Sequence, residues 1–330
     1  MDTLHETLHD CADYAQRHGG RRRACARCGR TWSVHRRRRG RKRRRVNPAL
    51  PKAVFVSHEV AERLRQRRRC SRDAMYRQIR RACQDLVQRP PTVLLPDDTD
   101  LVLIVDGLWF AFRQREWVLY NMALRPITGD RACFLDPILL EGKECAKRWR
   151  QALALSISRD RFRHIHAFVT DGFRGARKIA TDNGWVLQRC HWHLLSALRG
   201  FVTGRKKTTR WRKGRRACSK LVKEALRTPD EMRAQAICHE LTCLTQHRSC
   251  PTRLRYVVGD FISSVNDFRA YLQHPELRLP RTTSPMESKH AKLREAANRI
   301  RTPTAVLLRT RSLLRLLPTI RCQPPKIPQS

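Results

Sequence analysis

Acidic residues are the first shortage. Asp and Glu number 29 against 70 Lys and Arg in 330 residues, a formal net charge of +41 at pH 7. A chain so unbalanced repels itself when compact, a cost most naturally tolerated when a polyanion is the partner. Long apolar runs are missing as well, and none approaches the roughly 18 residues that a membrane-crossing helix needs. No basic amphipathic helix carries a flanking anchor, so a membrane partner is not expected. No internal repeat is present, and low complexity is confined to Arg runs and a Pro-containing tail from Pro318 to Ser330. The 13 cysteines are odd in number and irregularly spaced, with no secretory leader ahead of them. That pattern argues against a disulfide scaffold and for a reducing cytoplasm. No module places aromatics for base stacking, which disfavours RNA recognition.

Arginine is what the chain has in excess. Its dominance over Lys favours forked contacts to phosphate and to guanine edges, so double-stranded DNA is the expected partner and a nucleoid-associated location follows. Residues 17 to 45 hold 15 Arg or Lys and no acid. Within the N-terminal segment 1–47 lies Cys25-Ala-Arg-Cys28-Gly29, where two thiolates on a tight turn can reach one zinc ion. The remaining ligands would come from His9, Cys11, His18 or His35, none of which forms a second C-x-x-C; the alternative is a degenerate knuckle without zinc. Arg36, Arg37, Arg38, Arg39, Arg41, Lys42 and Arg43 form an arm suited to phosphates.

Pro48 and Pro51 suggest a linker, followed by a two-helix module over 52–90. Ser57 can cap a helix from Glu59 to Arg68. Ser71 can cap another from Arg72 to Gln88, with Met75, Ile79, Ala82 and Leu86 at helical spacing. Because the second helix bears Arg72, Arg77, Arg80 and Arg81, the pair resembles a helix-turn-helix that reads a major groove. A plain helical hairpin with a basic outer face is the alternative.

The main domain opens at about residue 100. The apolar run Leu101-Val-Leu-Ile-Val105 predicts a buried strand ending in Asp106-Gly107. Strands from Glu116 to Arg125 and from Ala132 to Leu140 follow, joined by a turn at Thr128-Gly129-Asp130, and then a helix from Lys143 to Ser156. Ile165 to Thr170 predicts another buried strand, delivering Asp171-Gly172 to its end. A helix to Asp182, a stop at Asn183-Gly184 and a strand at Trp185-Val186-Leu187 complete a β-α-β unit. The order β-β-β-α-β-α-β is that of the ribonuclease-H-like fold, within an α/β class. Its first and fourth strands are neighbours, so Asp106 and Asp171 are expected to meet over residues 100–199. Against this stands the plainer reading of Asp-Gly as a turn or helix cap. Residues 200–280 predict a basic helical insertion, 281–315 a further helix carrying Glu287, and 316–330 a tail.

Two aspartates at adjacent strand ends can share divalent cations, and Glu287 is the natural third carboxylate. Ser284-Pro285-Met286-Glu287 also spells a capping box, so spacing alone leaves Glu287 open between cap and ligand. Cys190 and His193 could bind a metal or could hydrogen-bond to fix the strand end beside Asp171. Cys238, His239, Cys243, His247 and Cys250 are the only candidate partner set, with ordinary buried cysteine as the alternative.

At these residues the chain resembles the Mutator-type DDE transposases of prokaryotic insertion elements. The resemblance rests on Val105-Asp106-Gly107, on Thr170-Asp171-Gly172 followed by Gln188-Arg189-Cys190 and His193, and on Thr283 to Ser288 with Leu293-Arg294. It implies a ribonuclease-H-like core with a helical insertion, preceded by zinc-ribbon-like and helix-turn-helix-like segments. It also implies Asp106, Asp171 and Glu287 as ligands of Mg²⁺ or Mn²⁺, with Cys190 and His193 matching the family's C-x-x-H. A homo-oligomer on DNA would cut element ends and join them to a target. The first ribbon knuckle is not recognisable, which leaves Zn²⁺ at Cys25 and Cys28 open. The competing expectation is a non-catalytic DNA-binding regulator or an inactive remnant, which binds DNA without metal-dependent cleavage.

Overall fold

The computed structural model describes residues 15–17, 22–29, 31–33, 46–91, 95, 98–203, 211–298 and 300–322. The arm residues Arg36, Arg37, Arg38, Arg39, Arg41, Lys42 and Arg43 lie outside the described residues, as do His9, Cys11, His18 and His35. The chain divides into two units, 1–46 and 47–330. In the first, β1 (Ala15–Arg17), β2 (Arg22–Cys25) and β3 (Thr31–Ser33) form an antiparallel sheet in that order. The turn after β2 carries the C-x-x-C: Gly29 N–H donates to Cys25 O at 2.9 Å, and Gly29 adopts φ +73°, which a side chain would strain. Cys25 is buried and Cys28 exposed.

The second unit opens with α1 (Leu50–Phe55), α2 (Ala61–Arg67) and α3 (Arg72–Gln88). The expected linker is thus partly helix, because Pro51 sits in the first turn, where its missing N–H costs nothing. Ser71 caps α3 as its position predicts, accepting from Ala74 N–H at 3.2 Å. The helix expected from Glu59 instead starts after Val60, and no side chain caps it. Met75, Ile79, Ala82 and Cys83 of α3 share an apolar cluster with Leu108, Leu119, Leu293, Val306 and Leu313. The three helices therefore pack into the larger unit.

A seven-stranded sheet follows: β4 (Leu101–Phe112), β5 (Arg115–Pro126), β6 (Arg131–Phe134), β7 (Ile138–Glu141), then α4 (Ala146–Ser156), α5 (Arg159–Arg163), β8 (Ile165–Thr170), α6 (Ala176–Asp182) and β9 (Val186–Arg189). Asp136-Pro137 divides the strand expected from Ala132 to Leu140, because proline cannot donate within a ladder. Helices α7 (His191–Thr203), α8 (Arg212–Ala225), α9 (Glu231–Gln246), α10 (Thr252–Ser263) and α11 (Val265–Gln273) come next. A 3-10 turn at Pro275–Leu277, α12 (Ser284–Ala297), α13 (Pro303–Leu316) and β10 (Thr319–Arg321) complete the unit. The tail is thus partly an edge strand, since β10 pairs antiparallel with β6.

The strand order is β10-β6-β5-β4-β8-β9, with β7 also on β5. β4 pairs parallel with β8 and β8 parallel with β9, while the remaining pairs are antiparallel, so the class is α/β with a mixed sheet. Leu101 to Val105 are 0% exposed, and burying each such side chain stabilises by about 1.5–3 kcal/mol. Alternation then sorts the strand. Leu101, Leu103 and Val105 face the core beneath α4 and α6, while Val102 and Ile104 face a second core with Ala167, Val169, Tyr271 and Met286. Helices α7 to α11 enclose a core of their own, with Leu198, Leu221, Val222, Ile237, Leu254, Val258 and Phe261.

Candidate active site

Strand periodicity brings the two aspartates together. Asp106 follows Ile104 by two residues and Asp171 follows Val169 by two, so each continues the face that its predecessor occupies. Ile104 and Val169 are partners in the parallel register, which sets both carboxylates at the same level on adjacent strands. The face they share is the one that Met286 covers, and Met286 precedes Glu287 on α12. Oxygens of Asp106 and Asp171 and a nitrogen of His193 lie within 4.8 Å of one another. A second group with the same spread joins Cys190, His193 and Glu287. His193 belongs to both, its Nε2 3.2 Å from Glu287 Oε1.

The capping role of Glu287 is not formed. Thr283 is the N-cap residue of α12 and accepts the Glu287 N–H at 3.2 Å, which puts Glu287 one residue beyond the reach-back position. Its carboxylate turns to His193 instead. Two further groups complete the wall, and neither was singled out by motif. Glu144 precedes α4 and accepts from Trp149 Nε1 at 2.8 Å. Its Oε1 approaches the β4 backbone so closely that a Cβ on Gly107 would stand 2.7 Å away. His290, one turn beyond Glu287, has Nδ1 4.0 Å from Asp106 Oδ2 and Nε2 3.4 Å from Asn121 Nδ2. Asn121 is opposite Asp106 in the β4–β5 register. Helical spacing of i and i+3 could have found His290; nothing local marks Glu144.

The electrostatics are those of crowded carboxylates. Burial, then Asp171, Glu287 and Glu144, push the Asp106 carboxyl up to about 9. Burial and then Asp171 raise both Glu144 and Glu287 to about 7. Burial lowers His193, against the pull of Asp171, and brings His290 down to about 4, with Arg294 and His193 adding to the effect. Asp106 Oδ2 is buried and makes no hydrogen bond among the described residues. The donors are mostly oxygen, as hard divalent ions require, with imidazole nitrogen alongside.

The residues after Asp171 hold this arrangement in place. Gly172 adopts φ +90° at the turn, where a Cβ would meet the Arg189 guanidinium. Gln188 donates to Phe268 O at 3.1 Å and accepts from Tyr271 N at 2.9 Å, which ties β9 to α11. Arg189 lies over the Phe268 ring and pairs with Asp260 at 2.9 Å. Cys190 Sγ accepts from both Thr283 N and Thr283 Oγ1, linking the end of β9 to the start of α12. Among the described residues, Cys238, His239, Cys243, His247 and Cys250 form no metal-sized group; Cys250 is buried in the helical core, and Cys243 Sγ is 4.0 Å from His239 Nδ1. Arg72, Arg77, Arg80 and Arg81 of α3 are exposed. No helix among the described residues is long and apolar enough to cross a membrane.

Fold and site together define a mixed α/β protein with a carboxylate and histidine cluster able to hold metal ions at its parallel strand ends. In comparisons with known proteins, no family model and no curated protein matches this chain.

Proposed function

We propose that the chain is a DDE transposase, which cleaves phosphodiester bonds at element ends and joins the freed ends to target DNA. The observation that carries this reading is the convergence of Asp106, Asp171 and Glu287 from β4, β8 and α12, close enough that Asp171 and Glu287 both raise the Asp106 carboxyl. Support also comes from the order β6-β5-β4-β8-β9, in which three mutually antiparallel strands are followed by two that add in parallel, the arrangement of a ribonuclease-H-like sheet. The helices from α7 to α11 correspond to the insertion between the last core strand and the Glu-bearing helix.

Asp106, Asp171 and Glu287 would hold Mg²⁺ or Mn²⁺. When bound, such ions supply positive charge to the phosphate and an activated oxygen nucleophile. The protein's own contribution is position. Water adds to phosphorus as the 3′-oxygen leaves; the freed 3′-hydroxyl then attacks a target phosphodiester, one P–O bond forming for each that breaks. The buried strands hold Asp106 and Asp171 rigid, His193 fixes Glu287, and the exposed arginines of α3 meet the duplex backbone. A homo-oligomer would hold two ends at once.

The test is cleavage by the full-length protein of DNA carrying the terminal inverted repeats that flank its gene. Nicking in Mg²⁺ or Mn²⁺ that disappears in Asp106→Asn is the expected result. Binding without nicking in either metal would make the chain a DNA-binding regulator.

A further inference from the structure

Helix α8 carries the most one-sided charge among the described helices of the insertion. Arg216, Lys220, Lys223 and Arg227 are exposed and recur at intervals of four, three and four residues, which places them on one side of the helix and its C-terminal turn. With Val202, Ser219, Glu224 and Thr228 they line an open cleft of about 700 Å³. The opposite side is spent: Cys218, Leu221, Val222 and Ala225 are buried in the helical core.

The four cations have no acidic partner among the described residues. Glu224, the one acid in the cleft, is taken by Arg233, whose Nε donates to it at 2.9 Å. Some basic side chains of the same unit do find acids, as in Arg150 with Asp182 at 2.7 Å and Arg177 with Asp267 at 2.8 Å. A row of unpaired cations beside two hydroxyls, Ser219 and Thr228, suits phosphate oxygens.

We infer that this face of α8 binds the sugar-phosphate backbone of duplex DNA without reading its sequence. The row extends about 16 Å at 1.5 Å per residue, which matches about five successive phosphates along the axis of one strand at 3.4 Å each. Among the described residues no aromatic side chain lines the cleft, so a single strand that needs stacking finds no platform there. No apolar face remains on α8 to enter a lipid interface. The surface is additional to the α3 arginines and to the catalytic cluster.

The experiment measures the affinity of the full-length protein, without divalent metal, for a mixed-sequence duplex as salt is varied. Each phosphate contact contributes about 0.9 to the slope of log K against log salt. Replacing Arg216, Lys220, Lys223 and Arg227 together by Gln should flatten the slope by about three to four units. The charge-conserving pair Arg216→Lys and Arg227→Lys should leave it in place, and equal melting temperatures would show that both variants fold. An unchanged slope in the Gln variant overturns the proposal. So does a loss confined to single strands, to duplex RNA or to anionic vesicles. Because no metal is present, failure here leaves the cleavage reading standing, and failure of Asp106→Asn to block nicking leaves this one standing.

Discussion

The strand-end cluster and the outer face of α8 are opposites in charge and alike in one respect. In the first, Asp106, Glu144, Asp171 and Glu287 crowd together in a chain with only 29 acids; in the second, four cations line up without an acid of their own. Elsewhere in the unit opposite charges do pair, as in Arg315 with Asp136 at 2.6 Å. Like charges held together raise the free energy of the folded state, more so when buried. Both regions therefore suit a ligand of opposite charge, small divalent cations in one and a polyanion in the other. They differ in rigidity. The cluster is mounted on fully buried strands, whereas the α8 cations stand on long side chains in water, so substitutions should cost activity in the first and salt-sensitive affinity in the second.

The largest effect expected is at Asp106 and Asp171. Asp106→Asn or Asp171→Asn should lower metal-dependent DNA cleavage by on the order of 10³-fold or more, the scale of removing one transition-state stabilising group. Duplex affinity should stay near wild type, because it comes from phosphate contacts elsewhere. Assays of nicking and of binding on the same preparations separate the two, and parallel losses in both would erase the contrast between the regions.

Glu287→Gln comes next. With the N-cap at Thr283 and the carboxylate turned to His193, no capping bond is lost. Stability should change by less than about 1 kcal/mol. Cleavage should fail, since glutamine brings no negative charge. Near-normal cleavage would move the third ligand elsewhere, and Glu144 is the nearest candidate.

A third prediction concerns pH. In the cation-free protein Asp106 titrates at about 9 and Glu144 and Glu287 at about 7, all above their ordinary values. The folded state then holds more protons than the unfolded one between about pH 4 and 9, so these groups make stability fall as pH rises through that window. A bound cation must displace the protons. Mn²⁺ affinity should therefore climb from pH 6 to 9 by up to about tenfold per unit for each proton displaced. Calorimetry in buffers of different ionisation enthalpy counts the protons; flat affinity and no release would mean that the carboxylates do not share a cation.

Much of this arrangement was legible in sequence, for reasons visible at individual residues. A run such as Leu101 to Val105 can hardly be anything but a buried strand, and period-two alternation with a parallel crossover then fixes where Asp106 and Asp171 stand. Ser71 is a plain cap before a periodic helix, and Arg72 to Gln88 followed from it. What was hidden depended on tertiary closure. Glu144 lies in a non-periodic stretch and reaches the backbone of Gly107 only through the tertiary fold. Pro285 suggested a helix beginning after Ser284, but Thr283, engaged by the Cys190 sulfur, is the residue that starts it. Thr319 to Arg321 became a strand only because β6 offered an edge.

The smallest effect should be at Cys190, and it decides what the C-x-x-H pair does. Burial raises the Cys190 thiol, with hydrogen bonds from Thr283 opposing, which favours the neutral sulfur as a hydrogen-bond acceptor. What it does provide is an acceptor for Thr283 N–H and for the Thr283 hydroxyl, at 3.2 and 3.3 Å. Serine keeps an acceptor there; alanine leaves both donors buried and unpaired. Cys190→Ser should thus lose less than about 1 kcal/mol, and Cys190→Ala about 1–3 kcal/mol, the usual cost of an unsatisfied buried group. Cleavage should follow stability, with Ser close to wild type and Ala reduced as the start of α12, and Glu287 with it, loosens. A metal ligand would behave otherwise, since the serine oxygen is a weak substitute for thiolate toward zinc. If Cys190→Ser loses a tightly bound zinc, measured by metal analysis, while melting as wild type, the sulfur is a ligand and His193 and Glu287 belong to its site.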